Sequence, residues 1–547
     1  MPPTDPTLPR QIWPEDLAAR YRAKGYWRGE SFGDLLRARA GAHPDRIAVV
    51  AGDERLSYGA LLARAEAAAC GYLDLGLVPG DRVIVQIPNV AAFLPAVFGL
   101  FLAGLIPVYA LPAHRETELA HFARKSGARA IVTVDRHEGF AYPPLAEKLR
   151  AEVPALAHVI VAGEAGGHVA FDGFRADGRD LPRPDPASVA FLQISGGSTG
   201  LSKLIPRTHD DYIYSFRASA GICGLDAESV YMCALPAAHN FAMSSPGVFG
   251  ALSAGARVVM APNAAAETAF SLIAREGVTI TGVVPPLGLL WMEAARKTPH
   301  DLGSLRVLQV GGAKFMPEAA ARVRGALGCG VQQVFGMAEG LVNYTRLDDD
   351  EATILTTQGR PISPDDEILV LDDAGAPVPD GTPGHLLTRG PYTIRAYHDE
   401  PAANARSFTP DGFYRTGDIV IRRPDGYLTV QGRAGDHINR AGEKISAEEV
   451  EDHLLAHPMV FDAAVVSIPD DYLGERSCAF VIPREGGARP KAAEIKAFMR
   501  TRGLAEFKVP DQVVFVTEFA TTAVGKISRK TLRAALRAQF LEKETGA

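Results

Sequence analysis

Several things are scarce in this 547-residue sequence, and each scarcity excludes a class of protein. Cysteine is rare: Cys70, Cys223, Cys233, Cys329 and Cys478 are scattered, odd in number, and form no C-x-x-C pair. Neither a disulfide framework nor a zinc site is expected from them, and reduced thiols are. Excess positive charge is absent, since 57 basic against 64 acidic residues leave a formal net charge of -7. No basic field exists to hold nucleic acid or an anionic membrane surface, so an anionic ligand must be held by local groups. Residues 1–11 contain prolines but no basic stretch followed by an apolar run, so no secretory signal is expected and a cytoplasmic location is. No 20–50-residue repeat is seen, nor any low-complexity tract beyond the first dozen residues.

The 24 residues from Val90 to Ala113 carry no charge. Pro95, Gly99, Gly104, Pro107 and Pro112 interrupt this run, so it reads as a buried helix over 91–103 and a buried strand over 106–111, with no membrane span. What is plentiful is ordinary core-forming material: 47% hydrophobic and 22% charged residues, enough for about three or four compact units. Strand-like runs alternate with helical ones at 82–87, 91–103, 106–111, 116–126 and 130–134, and again from 231 to 310. That alternation predicts parallel βαβ units and an α/β layered fold. From 366 to 397 short strands and Gly/Pro turns predict a small β-rich part. After it, Ser446-Ala447-Glu448-Glu449 reads as a capping box opening an amphipathic helix to about Ala456. Strands over 463–468 and 478–482, a helix ending before Gly503, a strand over 513–516 and a last helix after Ser528 complete a separate unit.

The sharpest local signal is Ile194-Ser195-Gly196-Gly197-Ser198-Thr199-Gly200-Leu201-Ser202-Lys203. Glycines let backbone N–H groups approach phosphate oxygens, and hydroxyls and a lysine add donors and charge. It is not a G-x-x-x-x-G-K-[ST] loop, because Ser202 and Leu204 break that spacing. It does match G-x-S-x-G, which would make Ser198 a serine-hydrolase nucleophile. A nucleophile elbow needs a helix directly after it, however, and Pro206 stands where that helix would run.

The loop resembles the phosphate-binding signature of the adenylate-forming superfamily: acyl-CoA ligases, peptide-synthetase adenylation domains and luciferases. Further motifs follow in that family's order: Phe335-Gly336-Met337-Ala338-Glu339, Tyr414-Arg415-Thr416-Gly417-Asp418, Gly432-Arg433, Gly442-Glu443-Lys444 and Gly525-Lys526. Within the family, Tyr26-Trp27-Arg28, the stretch Pro236 to Phe241, and the stretch Gly336 to Tyr344 resemble stand-alone 2,3-dihydroxybenzoate–AMP ligases of siderophore synthesis.

The resemblance implies a large N-terminal domain (1–432) of two α/β subdomains plus a β-barrel, a hinge (433–436) at Gly435, and a small mobile α+β domain (437–547). It implies ATP and Mg²⁺, with Ser198, Thr199 and Lys203 around the β- and γ-phosphates and Glu339 on the metal. Asp418 and Arg433 would face the ribose, and Gly311, Gly312, Ala313, Phe335 and Gly336 the adenine slot. Lys526 would bridge the attacking carboxylate and the α-phosphate, with His239 near the substrate carboxylate. Gly442 and Lys444 would belong to a loop facing the site in the thioester-forming state. Ala338 stands where many relatives have threonine, and Gly435 where Asp or Lys is common.

The implied acid pocket comprises His239, Asn240, Phe241, Ser245 and Val342. Amino-acid-activating relatives carry an aspartate at the position of Asn240 to pair with the ammonium. A neutral amide leaves such a charge unpaired and suits a phenolic hydroxyl. The expected reaction is therefore activation of 2,3-dihydroxybenzoate, with salicylate as the alternative acid. No carrier motif is seen in 447–547, so the expected acceptor is the phosphopantetheine thiol of a separate aryl carrier protein, with coenzyme A as the alternative.

Overall fold

The structure, a computed structural model, describes residues 12–195, 202–436, 438–440, 443–470, 473–484, 490–502, 504, 506–519, 528 and 531–532. Two large sheets carry the N-terminal part. The first has the strand order Leu204–Thr208, Val189–Ile194, Ile106–Tyr109, Arg82–Gln86, Ala130–Val134, His158–Ala162, Val169–Ala170. The second runs Arg360–Pro361, Gly340–Tyr344, Gly330–Met337, Val307–Gly311, Ile280–Val283, Val230–Cys233, Arg257–Met260, Ile47–Ala51, Glu54–Ser57. Their inner strands are parallel and almost wholly buried, as the continuous Val/Ile runs require when helices cover both faces.

The uncharged run 90–113 resolves into the buried helix Phe93–Leu102 and the buried strand Ile106–Tyr109. No helix among the described residues is long and apolar enough to cross a membrane. One core joins the two sheets: Val83 and Val85 of the first and Val49, Val258 and Tyr231 of the second belong to a single buried cluster. Helices Phe32–Ala42, Tyr58–Asp74, Phe93–Leu102, His209–Ile222 and Gly247–Ala254 fill it, with Phe32 stacked on Phe101 at 4.4 Å. All five cysteines are buried free thiols.

The β-rich part extends further than the sequence pattern indicated. Its four-stranded antiparallel sheet is Glu367–Leu371, Pro383–Arg389, Tyr414–Arg422, Leu428–Arg433. The C-terminal unit has strands Ile438–Arg440, Glu443–Ile445, Val460–Asp470, Gly474–Pro483 and Gln512–Phe515 with helices Ala447–Leu455 and Ala492–Thr501. It docks on the core through Arg502–Glu318 (3.1 Å), Arg484–Glu293 (3.6 Å) and the Ser446 hydroxyl, which donates to the Gln431 carbonyl at 2.9 Å.

One local expectation needs correction. Ser446 does cap its helix by accepting from the Glu449 N–H at 3.3 Å, but the reciprocal half of the box is missing. The Glu449 carboxylate binds Lys508 at 2.7 Å instead, a charged partner that outcompetes a backbone N–H. At the expected hinge, Gly435 has no left-handed φ and open space where a Cβ would lie, so glycine is not required there in this conformation. Gly432 is the constrained one: its φ is +104°, and a Cβ would lie 3.5 Å from the Glu448 carboxyl carbon.

Candidate active site

The phosphate loop joins two antiparallel neighbours, Val189–Ile194 and Leu204–Thr208, with Ile194 opposite Leu204. Its base is closed twice: the Ser195 N–H donates to the Lys203 carbonyl and the Lys203 N–H to the Ser195 hydroxyl, both at 2.9 Å. Ser198 and Thr199 lie outside the described residues. Since a strand follows the loop and no helix does, the geometry of a hydrolase elbow is absent.

Lys203 sends its ammonium 4.9 Å over the ring of Tyr397. The Tyr397 hydroxyl donates to Glu339 Oε1 at 2.8 Å and lies 3.0 Å from the Tyr414 hydroxyl. Burial, then the Glu339 charge, push the Tyr397 phenol far up, so it keeps its proton and serves as a donor. The expected phosphate lysine and metal carboxylate are thus gathered around one tyrosine. Glu339 stands alone, for no cluster of three or more His, Cys, Asp or Glu exists among the described residues. A single carboxylate fits Mg²⁺, which takes one or two protein carboxylates and completes its shell with phosphate oxygens and water.

Glu339 sits in the tight connection between Gly330–Met337 and Gly340–Tyr344, where Gly340 has φ +134° and Leu341 φ +41°. A Cβ on Gly340 would fall 2.4 Å from Thr393 Cα, so only glycine fits. This turn is held from outside. The Ile394 N–H donates to the Glu339 carbonyl at 2.7 Å, and the Val342 N–H to the Tyr392 hydroxyl at 3.0 Å. Arg207 donates to the Ala338 carbonyl at 2.8 Å and to the Tyr392 carbonyl at 3.0 Å, while pairing with Asp211 at 2.9 Å. None of Arg207, Asp211, Tyr392 and Tyr397 was anticipated from the sequence.

The nucleotide residues occupy strand ends. Val307–Gly311 delivers Gly311, Gly312 (φ +84°) and Ala313 beside Phe335 and Gly336 of the neighbouring strand, with Gly311 opposite Val334. In the β-rich sheet Asp418 is opposite Arg433, and the two pair at 2.8 Å. Asp418 is buried and Arg433 more than half exposed, so the pair presents one fixed carboxylate and one guanidinium at its rim.

Of the residues expected to form an acid pocket, four lie on or beside one short helix. His239 caps the short helix Asn240–Ser244, its Nδ1 accepting from the Phe241 N–H at 3.3 Å. Phe241 is buried over two glycines: a Cβ on Gly282 or Gly311 would lie 3.2 or 3.1 Å from its ring tip. Gly336 packs against Val342, whose Cα would be 3.3 Å from an added Cβ. Ser245 is buried at the helix end, and Asn240 accepts the Tyr212 hydroxyl at 2.8 Å. Of the remaining expected residues, Gly442 and Lys526 lie outside the described residues. Lys444 is described only as part of the strand Glu443–Ile445, opposite Asn439. The Tyr26-Trp27 motif packs: Tyr26 stacks on Tyr214 at 4.7 Å and Trp27 donates to the Pro391 carbonyl at 3.1 Å.

A strand-to-strand glycine-rich loop, a lone carboxylate in a glycine turn, and a paired Asp/Arg at a sheet rim are the arrangement of a candidate adenylating active site. The chain belongs to the AMP-binding enzyme family: the model of that description matches residues 36–398, and that of the AMP-binding enzyme C-terminal domain matches 449–526. It is 56% identical over 529 residues to the 2,3-dihydroxybenzoate-AMP ligase of Bacillus subtilis, covering 97% of this chain and 98% of that one. It is 47% identical to the salicyl-AMP ligase / salicyl-S-ArCP synthetase of Mycobacterium tuberculosis, covering 95% and 93%. Among solved structures, Mycobacterium smegmatis MbtA in its apo form superposes with a TM-score of 0.74 at 48% identity over 96% of this chain and 98% of that one. An anthranilate CoA ligase bound to anthranoyl-AMP superposes with a TM-score of 0.86 at 25% identity over 94% and 98%.

Proposed function

We propose that this chain condenses an aryl acid, 2,3-dihydroxybenzoate, with ATP to give aryl-AMP and pyrophosphate, and then passes the aryl group to the phosphopantetheine thiol of an aryl carrier protein for siderophore synthesis. A carboxylate oxygen of the acid forms a bond to the α-phosphorus as the bond to the pyrophosphate oxygen breaks. In the second step the thiol sulfur bonds to the acyl carbon, AMP leaves, and the thiol proton is released. Both partners in the first step are anions, so catalysis consists of positioning and charge neutralisation.

Lys203, with Ser198 and Thr199, cradles the outer phosphates. Glu339 holds Mg²⁺, which neutralises phosphate charge when bound. Asp418 takes the ribose hydroxyls with Arg433 beside it, and Gly311 to Ala313 border the base. Lys526 bridges the attacking oxygen and the α-phosphate, and the Gly442–Lys444 loop serves the thioester step after the C-terminal unit turns about 433–436. Asn240 and Ser245 each present a polar group to ring hydroxyls, and Phe241 and Val342 form the apolar walls. The enzyme works in the cytoplasm.

One observation carries this reading: Tyr212 binds the acid-pocket Asn240 while Arg207, stacked on its ring at 4.7 Å, binds the carbonyl next to Glu339. The acid-binding and phosphate-binding halves are thereby held in one network. The reading is supported by the 2,3-dihydroxybenzoate activity named for the Bacillus relative and the aryl-carrier activity named for the mycobacterial one. The test is ATP–pyrophosphate exchange with purified enzyme against 2,3-dihydroxybenzoate, salicylate, benzoate, fatty acids and amino acids. Fastest exchange with 2,3-dihydroxybenzoate is expected, with loss of about 10²-fold or more in Lys526→Ala. Faster exchange with an amino or fatty acid refutes the aryl assignment.

A further inference from the structure

Asn240 is an amide, and an amide can turn either end toward a ligand: the carbonyl as acceptor or the NH₂ as donor. Here the choice is made from behind. The Tyr212 hydroxyl lies 2.8 Å from Asn240 Oδ1 and donates to it, while no described residue takes up Nδ2. The phenol is fully buried and burial pushes its titration up, so its proton is always available. The Gln193 amide oxygen accepts from the Ile194 N–H at 3.0 Å, which turns the Gln193 NH₂ inward to the Ala238 carbonyl at 3.3 Å. The Ser244 hydroxyl donates to the Asn240 main-chain carbonyl at 3.1 Å, which steadies the backbone that carries the amide. Tyr212 itself is clamped, its ring edge-on to Phe191 at 4.6 Å and under the Arg207 guanidinium.

We propose that Tyr212 is a positioning residue for substrate specificity: it locks the Asn240 amide with its NH₂ facing the acid, so the ortho position of the ring must carry a hydrogen-bond acceptor. The inference rests on the aryl-acid reading above and narrows it to ortho-hydroxy acids against ortho-amino acids. An ortho-hydroxyl fits because it donates its own proton to the neighbouring carboxylate and offers an oxygen lone pair to Nδ2–H. An ortho-amino group gives one N–H to the carboxylate and directs the other at Nδ2–H, while its lone pair is delocalised into the ring. Donor then faces donor in a buried site, and both are left unsatisfied.

The experiment is ATP–pyrophosphate exchange with the full-length enzyme and two acids of nearly equal size, salicylate and anthranilate. Wild type should favour salicylate by about tenfold to a hundredfold in kcat/KM. Tyr212→Phe removes the donor and keeps the ring, freeing the amide to turn; the salicylate-to-anthranilate ratio should fall by about tenfold, through a loss on salicylate and a gain on anthranilate. In an Asn240→Ala background the same Tyr212→Phe change should leave the ratio where it is. A purely structural role for Tyr212 would lower both acids together. Equal use of the two acids by wild type, an unchanged ratio in Tyr212→Phe, or the same fall in the Asn240→Ala background overturns the proposal. The wild-type comparison decides even if the variants do not fold. Exchange with no aryl acid at all overturns the underlying activity, which is distinguishable from equal exchange with both.

Discussion

Replacing Asp366 with asparagine should make the protein more stable at pH 8 by about 4 kcal/mol and at pH 5 by only about a third of that. Asp366 is half-buried, with its carboxylate turned inward against Tyr392. Its Oδ2 accepts from the Tyr392 hydroxyl at 2.6 Å and from the Ser363 N–H at 3.1 Å, and its Oδ1 has no partner. Burial pushes its titration from 3.8 to about 7, against the downward pull of the Tyr392 and Ser363 hydrogen bonds. Between those values the folded chain keeps a proton that the unfolded chain has released, so stability falls as pH rises and levels off above about 7. The gap, at about 1.4 kcal/mol per pH unit, makes about 4 kcal/mol from this one group. Asparagine keeps a carbonyl for Tyr392 and Ser363 and carries no charge at any pH. Melting by fluorescence at pH 5 and pH 8 reads the effect. The core transition of the variant should rise by several degrees above wild type at pH 8 and by about a third as much at pH 5. Because a chain of several domains need not melt in one step, the same transition must be compared in both proteins. A shift equal at the two pH values would show that Asp366 ionises as an exposed carboxylate does, and the reasoning would fall.

The other expectations are enzymatic. Ser245→Ala should cost about tenfold in kcat/KM for 2,3-dihydroxybenzoate and leave salicylate nearly unaffected, as one lost hydrogen bond to a second ring hydroxyl requires; equal losses on both would remove Ser245 from that role. Gly311→Ala places a Cβ 3.1 Å from the Phe241 ring tip and 3.0 Å from the Val334 carbonyl. Overpacking of about 1–3 kcal/mol should appear as a raised KM for the acid, measured by exchange at saturating ATP. Glu339→Gln keeps an acceptor for the Tyr397 hydroxyl but loses the charge. It should raise the Mg²⁺ concentration needed for half-maximal exchange and lower kcat by about 10²-fold, with little change in melting temperature.

What could be read from the sequence was whatever local chemistry dictates. The 93–102 helix lies in a short segment whose residue types leave few alternatives, whereas Asp418 and Arg433 came from resemblance, which did not indicate that they pair. Phe241, Asn240 and Ser245 were legible through resemblance, and the structure brings them to the same small helix. The supporting residues were not legible, because their partners are remote in the chain. Arg207 binds carbonyls 131 and 185 residues away, and a main-chain oxygen has no sequence signature. The same long-range competition misled the local reading at Glu449, where Lys508, 59 residues on, displaced a textually complete capping box.

The buried Arg207–Asp211 pair makes physical sense as a device for register more than for stability. Both side chains are almost fully buried, and burying two charges costs about as much as their attraction returns. What the pair provides is geometry. Asp211 also accepts from the Thr208 N–H at 2.9 Å and hydroxyl at 2.7 Å, and from the Trp13 indole at 3.3 Å, so the carboxylate is fixed by four donors from two segments. The guanidinium it orients is planar and forked, and reaches two carbonyls on different chain segments at once, which the single ammonium of a lysine could not do with the same directionality. One of those carbonyls adjoins Glu339 in a turn that contains two left-handed residues. The other belongs to Tyr392, whose hydroxyl holds Val342 in the acid pocket. A turn that strained needs restraint from outside to keep one shape. Because Arg207 lies on the strand Leu204–Thr208, the same restraint holds that strand, the candidate metal carboxylate and Val342 at fixed separations. A reaction between two anions requires this, since its rate depends on the mutual placement of groups that would otherwise repel.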